Sequence, residues 1–463
     1  MASLASSEGP DSVDVVVVGA GLSGLVVAYT LRDAGLGVIT TEIAERPGGV
    51  IGTRERDGFR YETAANSALD DATLFAPLLH SLGIAGERID ASAHAAKRFV
   101  VRRGRLQPLP TSPPSLLTSA TFSLGAKLRL LREPFVRKRS TQDDESVASF
   151  ARRRLGGEWL DYAVDPFVSG VHAADPEALS LRAAFPRLHA LEQAHGSLLL
   201  GQLRRARKGL APPRSMSFRH GMQTLPDALA LRVDVVTGTR TSITLAPDAG
   251  FAVELASAGA TRTLRARSVV VSTPADAAAA LVAPLAPQAV QHLTAIPYAP
   301  VTVVVAAYRR EDVAHALDGF GFLVPSREQR PILGTLFSST MFEGRAPSGH
   351  VLLTTFVGGQ RNPQAAAQDD AALRATVDRE LAALLGARDP MWMDIVRWPR
   401  AIPQYTLGHE QRIAAVDQAT AHLPTLLFSA NWRGGVSVAD CVARSRQTAF
   451  AVLRALREPA PPG

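Results

Sequence analysis

Cysteine is almost absent from this 463-residue chain, in which Cys441 is the single thiol. A lone cysteine excludes intramolecular disulfides and thiolate metal clusters, so no metal site is predicted, and it favours a reducing compartment. Aromatic residues make up only 6% of the chain, and many of the apolar residues, 46% in all, are Ala, Val and Leu. No uninterrupted run of about 20 apolar residues occurs, which argues against a transmembrane helix.

Lysine is scarce as well, so the positive charge comes almost wholly from arginine. The formal net charge is +7 and the isoelectric point is near 9.9, but lysine occurs only at Lys97, Lys127, Lys138 and Lys208. Such a surface suits nucleic acid, anionic lipid or a substrate that bears carboxylates. The arginines are scattered and no recognition motif accompanies them, so we expect no nucleic-acid partner.

The first ten residues do not resemble a secretory signal. They lack a basic stretch followed by an apolar run, and they include Glu8. We therefore expect a cytoplasmic protein. The length of the chain exceeds what one hydrophobic core supports, so two or three domains are expected.

A strand–helix–strand unit is predicted near the start of the chain. The valines of residues 13–18 are typical of a buried parallel strand. Apolar residues at helical spacing over 25–31 predict a helix that ends at Gly35, and residues 38–41 predict the next strand. This order of elements is typical of α/β proteins.

A glycine-rich turn joins the first strand to the helix. Gly19, Gly21 and Gly24 form the pattern G-x-G-x-x-G, in which the missing side chains let the backbone approach a pyrophosphate at a helix N-terminus. Glu42 closes the second strand, where a carboxylate can accept hydrogen bonds from both ribose hydroxyls. The alternative is a structural glycine turn. We predict a dinucleotide site that includes Gly19, Gly21, Leu22, Ser23, Gly24 and Glu42.

The residues after Glu42 favour FAD over NAD as the dinucleotide. They resemble the second phosphate-contacting segment of the glutathione-reductase and amine-oxidase flavoproteins, and this resemblance adds four residues to the predicted site. These are Arg46, Gly48, Gly49 and Thr53.

A second glycine pair, Gly434 and Gly435, precedes a helix predicted over residues 437–457. In the flavoproteins that the chain resembles, the first amides of this helix face the N1 and O2 edge of the flavin. The alternative is an ordinary turn before a core helix. Cys441 lies inside the predicted helix, so we expect FAD to be bound without a covalent link. The predicted cofactor contacts here are Gly435, Val436, Ser437 and Val438.

Four separated segments resemble the protoporphyrinogen oxidases. They occur in the family's order and are distributed over most of the chain, which makes a chance match improbable. The segments are DPFVSGVHAADPEALS (165–180), LGTLFSSTMF (333–342), TTFVGG (354–359) and NWRGGVSV (431–438).

The resemblance also implies a set of substrate residues. Arg98 matches an arginine that pairs with a substrate propionate, and Gly170 matches a glycine near the oxidised methylene. Leu323 and Leu336 match leucines on either side of one pyrrole ring, and Phe356 matches an aromatic that stacks on another. Trp398 matches a tryptophan near the flavin. His172 departs from the family pattern, which more often has an aromatic residue there.

The activity implied is the oxygen-dependent, six-electron oxidation of protoporphyrinogen IX to protoporphyrin IX, with release of hydrogen peroxide. No protein group is assigned as a catalytic acid or base, because the flavin N5 accepts the hydride. Oxidation of coproporphyrinogen III to coproporphyrin III is the nearest alternative. A flavin- or tetrapyrrole-binding protein without turnover is another. Amine oxidation is disfavoured, because none of the four lysines lies in the β-rich segments expected near the flavin.

We predict an α/β fold with a Rossmann-like FAD-binding domain (11–88, 213–290 and 420–460), a β-sheet substrate domain (89–111 and 291–419) and a helical subdomain (112–212). Within the last, residues 116–139 mix leucines and phenylalanines with basic residues. Such a stretch suits peripheral contact with an anionic membrane, here the inner face of the cell membrane, or alternatively a core-packed helix with a charged outer face. A homodimer is a candidate assembly.

Overall fold

The computed structural model describes residues 11–110, 112–139, 143–207, 214–247 and 250–457. Parts of the sequence predictions fall outside these ranges. They are the N-terminal segment 1–10, the domain limits at 111 and 213, residues 208–212 of the helical subdomain, and residues 458–460 of the FAD-binding domain.

Strands occur in two stretches of the chain, residues 11–108 and 215–428. They are β1 (Asp11–Val18), β2 (Val38–Thr41), β3 (Thr53–Arg56), β4 (Phe59–Glu62), β5 (Ala68–Leu69), β6 (Arg88–Asp90), β7 (Phe99–Arg102), β8 (Arg105–Pro108), β9 (Ser215–Phe218), β10 (Asp234–Val236), β11 (Arg240–Leu245), β12 (Phe251–Ser257), β13 (Ala260–Val271), β14 (Tyr298–Arg309), β15 (Gly321–Leu323), β16 (Ile332–Leu336), β17 (His350–Gly358), β18 (Trp392–Pro403) and β19 (Leu426–Phe428).

Helices occupy several of the intervals between the strands, and one more follows the last strand. They are α1 (Leu22–Asp33), α2 (Ala72–Leu82), α3 (Pro113–Thr118), α4 (Leu124–Leu131), α5 (Val147–Arg154), α6 (Gly157–Trp159), α7 (Asp165–His172), α8 (Leu181–Ala184), α9 (Pro186–His195), α10 (Leu198–Arg207), α11 (Thr224–Ala230), α12 (Ala275–Val282), α13 (Pro287–Thr294), α14 (Ser338–Met341), α15 (Pro363–Ala366), α16 (Asp370–Leu385), α17 (His409–Ala419) and α18 (Val438–Arg457).

The first sheet has the order β10-β2-β1-β13-β12-β11, with β19 also paired to β13. Strand β1 lies between β2 and β13 and is parallel to both. Its residues Val15 to Val18 are buried, as expected for a strand covered on both faces. The predicted strand–helix–strand unit is thus confirmed. The other strands of this sheet come from chain segments far from this unit in sequence.

Helices α1 and α18 pack together on one face of this sheet. Leu25 and Leu31 of α1 are fully buried, as are Val442 and Val452 of α18. Because apolar residues in both helices recur at helical spacing, each presents one apolar stripe to the shared core. The predicted C-terminal helix is confirmed, although it begins at Val438 instead of Ser437.

The second sheet has the order β18-β14-β17-β16-β15-β7-β8. One face is covered by α16, whose Leu373, Val377 and Leu381 join a buried cluster with alternate residues of the strands. The other face is turned towards the first sheet's half of the molecule, where Trp398 Nε1 donates a hydrogen bond to the carbonyl oxygen of Thr63 (2.7 Å). The mixed α/β class and the two sheets confirm the predicted architecture. The exact domain limits stay a prediction.

The region between β8 and β9 is helical, as expected, but residues 116–139 do not form one continuous helix. They contribute the end of α3, then α4 and a short 3₁₀ turn over Glu133–Phe135. Arg154 is completely buried in this region, and it donates hydrogen bonds to Glu133 Oε1 (3.1 Å) and, from Nε, to Glu192 Oε1 (2.7 Å). The two carboxylates compensate the burial of the guanidinium.

Several large apolar side chains of this helical region lie on the surface. Leu117 and Phe135 are the most exposed, at 74% and 87%, and Leu124, Leu128 and Leu131 are also exposed. Phe122, in contrast, is buried and stacks on Trp159 (ring centroids 3.9 Å apart). Among the described residues, no helix is long and apolar enough to cross a membrane.

Candidate functional site

The glycine turn after β1 is shaped by close backbone contacts. Gly19 has φ +105°, and a Cβ added there would lie 2.6 Å from the carbonyl oxygen of Ser272. A Cβ on Gly24 would overlap the carbonyl oxygen of Gly19, whereas one on Gly21 would meet no atom within 4 Å. Two glycines are therefore needed for packing, and the third leaves its side open to a ligand.

The second predicted phosphate segment lies directly on this turn. Gly48 and Gly21 form an isolated parallel bridge, and a Cβ on Gly49 would lie 3.1 Å from the Cα atom of Gly21. Arg46 donates from Nη1 to the carbonyl oxygens of Pro47 and Ile51, both at 3.1 Å. The Arg46 side chain thus shapes the loop that carries the two glycines.

Glu42 follows β2, as predicted, and stays half-buried. Its Oε2 accepts a hydrogen bond from the amide of Ala20 (2.8 Å), and its Oε1 accepts one from the amide of Ala44 (3.0 Å). These bonds hold the carboxylate beside the glycine turn. Contact with a ribose stays a prediction.

Thr53 belongs to a polar network with a buried ion pair. Its hydroxyl donates to Glu62 Oε2 (2.7 Å), and its amide donates to the side-chain oxygen of Gln223 (2.9 Å). Glu62 and Arg345 are each only 3% exposed and form an ion pair of 3.2 Å. Burial raises the pKa of Glu62, and the guanidinium of Arg345 opposes that shift. The Thr53 side chain is thus engaged within the protein.

The turn before α18 lies beside the N-terminus of α1. The Cys441 thiol in the first turn of α18 donates to the carbonyl oxygen of Gly435 (4.0 Å). Burial raises the pKa of this thiol to about 11, and Ser23 of α1 opposes that shift. Gly434 and Gly435 have φ values of +84° and +123°, which favour glycine. Two glycine motifs that lie more than 400 residues apart in sequence therefore meet in the fold.

The start of α18 carries free hydrogen-bond donors. Ser437 Oγ accepts from the amide of Asp440 (3.1 Å) and donates to its carboxylate (2.6 Å). The amides of Val436, Ser437 and Val438 have no acceptor in the described part of the chain. Since the N-terminus of a helix also carries partial positive charge, this end suits an electron-rich ligand edge.

The predicted substrate residues of the second sheet share one face. Leu323 pairs with Gly334 across β15 and β16, and Gly334 pairs with Phe356. Paired residues lie on the same side of a sheet, and so do residues two apart in one strand. The same rule adds Leu336 and, through β14, Trp398, which was predicted to contact the flavin and not the substrate. These four side chains thus lie on the face opposite to the one that α16 covers.

Gly170 packs against that face, and Arg98 immediately precedes β7 of the same sheet. Helix α7 packs on β15 and β16, and a Cβ on Gly170 would overlap Leu323 Cδ2. The exposed Arg98 places its guanidinium 5.0 Å from the ring centroid of Phe320, which packs with Leu336 against one small apolar cluster. The structure therefore brings together all the predicted substrate residues around one sheet face.

Helix α7 and the turn before α18 share one buried cluster. Val436 packs against the buried cluster that contains Val168 of α7. Asp440 acts electrostatically on the ring of His172, although burial dominates and lowers the pKa of that histidine to about 4. His172 therefore stays neutral near pH 7. The segment that carries Gly170 thus joins the sheet face to the start of α18.

Sequence reasoning did not find two side chains that hold this turn. Tyr405 contacts the backbone of Asn431 and Gly435, and His409 contacts that of Trp432. Their partners lie 23 to 30 residues further along the chain. No motif spacing could reveal such contacts.

The site as a whole fits FAD. The open side of Gly21 and the N-terminus of α1 suit a pyrophosphate, Glu42 suits a ribose, and the free amides at Val436 to Val438 suit the flavin edge. No group of His, Cys, Asp and Glu that could hold a metal ion occurs among the described residues.

Comparisons with known proteins agree with this geometry. The family model of flavin-containing amine oxidoreductases matches residues 22–453. The chain is 34% identical to protoporphyrinogen oxidase 2 of Arabidopsis thaliana over 95% of this chain and 93% of that protein. It is 30% identical to coproporphyrinogen III oxidase of Propionibacterium freudenreichii over 96% and 92%.

The fold also matches solved structures. A protein from Exiguobacterium sp. 255-15, proposed as a protoporphyrinogen oxidase, superposes with a TM-score of 0.81 at 23% identity, over 97% of this chain and all of the other. Cyclohexylamine oxidase from Brevibacterium oxydans IH-35A gives a TM-score of 0.68 at 18% identity, over 96% or more of both chains. The chain therefore belongs to the flavin-containing amine oxidoreductases, within the protoporphyrinogen oxidase family, and is an FAD-dependent oxidoreductase.

Proposed function

We propose that this enzyme oxidises protoporphyrinogen IX to protoporphyrin IX in tetrapyrrole synthesis, with dioxygen as the acceptor and hydrogen peroxide as the second product. The observation that carries the proposal is the position of α7. It packs on Leu323 of the sheet face, and its Val168 belongs to the buried cluster against which Val436, just before α18, also packs. The segment that most resembles the family's substrate segment thus lies between the apolar face and the predicted flavin edge.

When bound, FAD supplies a two-electron acceptor at its N5 atom. The protein's contribution is to hold a flat, apolar ring against that acceptor and to exclude water. Leu323, Leu336 and Phe356 offer an apolar face of suitable character, and Gly170 leaves room where a side chain would obstruct it. His172 is the titratable group nearest to Gly170 in sequence, and because burial lowers its pKa to about 4 it adds no charge beside the apolar face near pH 7.

The distribution of charge supports protoporphyrinogen, with two propionates, over coproporphyrinogen, with four. Arg98 is exposed and has no ion-pair partner in the described part of the chain. Two neighbouring cations are already paired: Lys97 with Asp318, and Arg102 with Glu158 (2.8 Å). Among Lys97, Arg98 and Arg102, only Arg98 therefore lacks an ion pair in the described part of the chain and is left to bind a substrate carboxylate.

The proposal is tested with purified enzyme. We expect a yellow protein that converts protoporphyrinogen to fluorescent porphyrin faster than the spontaneous rate, with three molecules of peroxide formed per porphyrin because six electrons are removed. Coproporphyrinogen III should be turned over with a lower kcat/KM. A bound tetrapyrrole without peroxide would instead favour the non-catalytic alternative.

Arg98→Gln tests whether Arg98 pairs with a propionate of the substrate. Loss of a charge-assisted hydrogen bond worth about 1.5–3 kcal/mol should raise KM by roughly tenfold or more with little change in kcat. Arg105→Gln, at an exposed residue of the neighbouring strand β8, is the control and should leave KM unchanged. Equal effects of the two substitutions would contradict the assignment of Arg98.

We also propose that the enzyme is cytoplasmic and contacts the membrane peripherally through α3, α4 and the turn at Phe135. The exposed leucines and Phe135 support this, together with nearby basic residues such as Arg132 and Arg137. Co-sedimentation with vesicles of anionic lipid tests the contact, and Phe135→Ser with Leu131→Ser should weaken it. A homodimer stays a candidate assembly, to be tested by sedimentation velocity.

A further inference from the structure

Tyr405 bridges the turn that precedes α18. Its buried hydroxyl donates a hydrogen bond to the carbonyl oxygen of Asn431 (2.7 Å) and accepts one from the amide of Gly435 (2.9 Å). These two backbone groups lie four residues apart, so a single hydroxyl closes the loop that contains Gly434. The ring of Tyr405 approaches this loop from a separate part of the chain, beyond the end of β18.

His409 supports the same turn from beneath Tyr405. The two rings are stacked, with centroids 4.1 Å apart and an interplanar angle of 11°. His409 Nε2 lies 3.0 Å from the carbonyl oxygen of Trp432. Since a carbonyl can only accept, Nε2 carries the proton in this contact. Burial lowers the pKa of His409 to about 4, so the ring is neutral near pH 7 and adds no charge.

The turn needs such support because of its sequence. Two consecutive glycines have wide conformational freedom, and ordering them costs more backbone entropy than ordering other residues. The side chains of Tyr405 and His409 fix the backbone before the pair, at Asn431 and Trp432, and the second glycine, Gly435. The amide of Gly435 is used by Tyr405, and the next three amides, from Val436 to Val438, are left without acceptors in the described part of the chain.

We propose that Tyr405 and His409 are positioning residues that fix these three amides and thereby set the reduction potential of bound FAD. The inference rests on the proposed place of the flavin edge at the start of α18. Reduction places negative charge on that edge, and donors that are already oriented stabilise the charge without having to reorganise. If the turn is loosened, this stabilisation should fall, whereas the packing of α18 on α1 should persist.

Tyr405→Phe is the direct test, because it keeps the ring and its stacking on His409 but removes both hydrogen bonds. The readout is the midpoint potential of enzyme-bound FAD in a dye-coupled reductive titration without any porphyrinogen. We expect reduced FAD to lose about tenfold in binding relative to oxidised FAD, which makes the potential about 30 mV more negative for a two-electron couple.

Tyr61→Phe is the matched control. Tyr61 is also buried, and its hydroxyl donates to Asp394 (2.8 Å) away from the glycine turn. Its substitution should leave the potential unchanged. If Tyr405→Phe lowers the melting temperature but leaves the potential at the wild-type value, the two residues are merely structural and the proposal is overturned.

A second variant covers a failure of Tyr405→Phe to fold. His409→Phe keeps an aromatic ring in the stack but loses the bond to Trp432, and a more negative potential supports the proposal while an unchanged one refutes it. Failure of the proposed function would look different. A wild-type protein that holds FAD but oxidises neither porphyrinogen would reject the proposed function, and the comparison of potentials would still decide the role of Tyr405 and His409.

Discussion

Gly170 allows the substrate face to be tested by adding one carbon atom. It lies inside α7 with an ordinary helical backbone, so alanine suits the conformation and would by itself stabilise the helix by about 0.5–1 kcal/mol. The new Cβ would, however, come within 3.0 Å of Leu323 Cδ2. Overpacking of this kind costs about 1–3 kcal/mol where the neighbour must move. The helix gain offsets part of this cost, and the remainder should shift the melting temperature of so long a chain only slightly.

The cost should therefore appear in the activity of Gly170→Ala. Leu323 is half-buried, so its methyl group can shift towards the face that it shares with Leu336 and Phe356. A displaced leucine would narrow the space for a pyrrole ring. We expect kcat/KM for protoporphyrinogen to fall about tenfold, equivalent to about 1.4 kcal/mol of transition-state stabilisation, with an apparent Tm within a few degrees of wild type. Porphyrin fluorescence and thermal unfolding measure the two quantities.

Gly201→Ala is the matched control for this experiment. Gly201 lies in α10, and a Cβ added there would lie 2.6 Å from Leu191 Cδ1 of α9. This control therefore also places a new Cβ of a helical glycine against a leucine, but outside the proposed site. Its kcat/KM should be unchanged. The double variant Gly170→Ala/Leu323→Val should recover most of the lost activity. If both glycine variants behave alike, or if the shorter side chain gives no recovery, the assignment of Gly170 to the substrate face is wrong.

Three further predictions concern the cofactor and pH. Glu42→Gln should weaken FAD binding by roughly tenfold in a fluorescence titration, because a charge-assisted hydrogen bond becomes a neutral one. Gly24→Ala should yield protein without FAD and a clearly lower Tm, since its Cβ would overlap backbone that cannot rotate away. The folded-state pKa of His409 lies near 4, below its unfolded value near 6.5, so the unfolded chain takes up this proton first as the pH falls. Stability should decline between about pH 6.5 and 4, and His409→Phe should flatten that decline in chemical denaturation series.

The cofactor half could be predicted from the sequence because its signals are local. The prediction used a run of valines, three glycines and an acidic residue after the next strand, and each of these reflects a structure formed by residues close in sequence. The structure has β1, α1 and β2 where they were expected. The C-terminal helix was equally predictable, since Val442, Ala449 and Val452 recur at helical spacing. The close approach of α18 to α1 could not be read from such patterns alone.

The second sheet was harder to predict because some of its strands are polar. Strand β18 contains Asp394, Arg397, Arg400 and an internal proline at 399, which weaken the usual strand signal. Its long pairing with β14 compensates. The roles of Tyr405 and His409 could not be predicted from the sequence either. Their hydrogen-bond partners are backbone groups, which every residue has, so the partner residues give no sequence signal of the contact.

The way the first sheet is assembled also constrains how the enzyme is made. Its strands come from residues 11–41, 234–271 and 426–428, and α18 follows the last of them. On the ribosome, the glycine turn emerges hundreds of residues before the strand and helix that complete its surroundings. FAD capture must therefore wait until synthesis is nearly finished, and a nascent chain that stalls before α18 would expose an unfinished apolar sheet to aggregation and degradation.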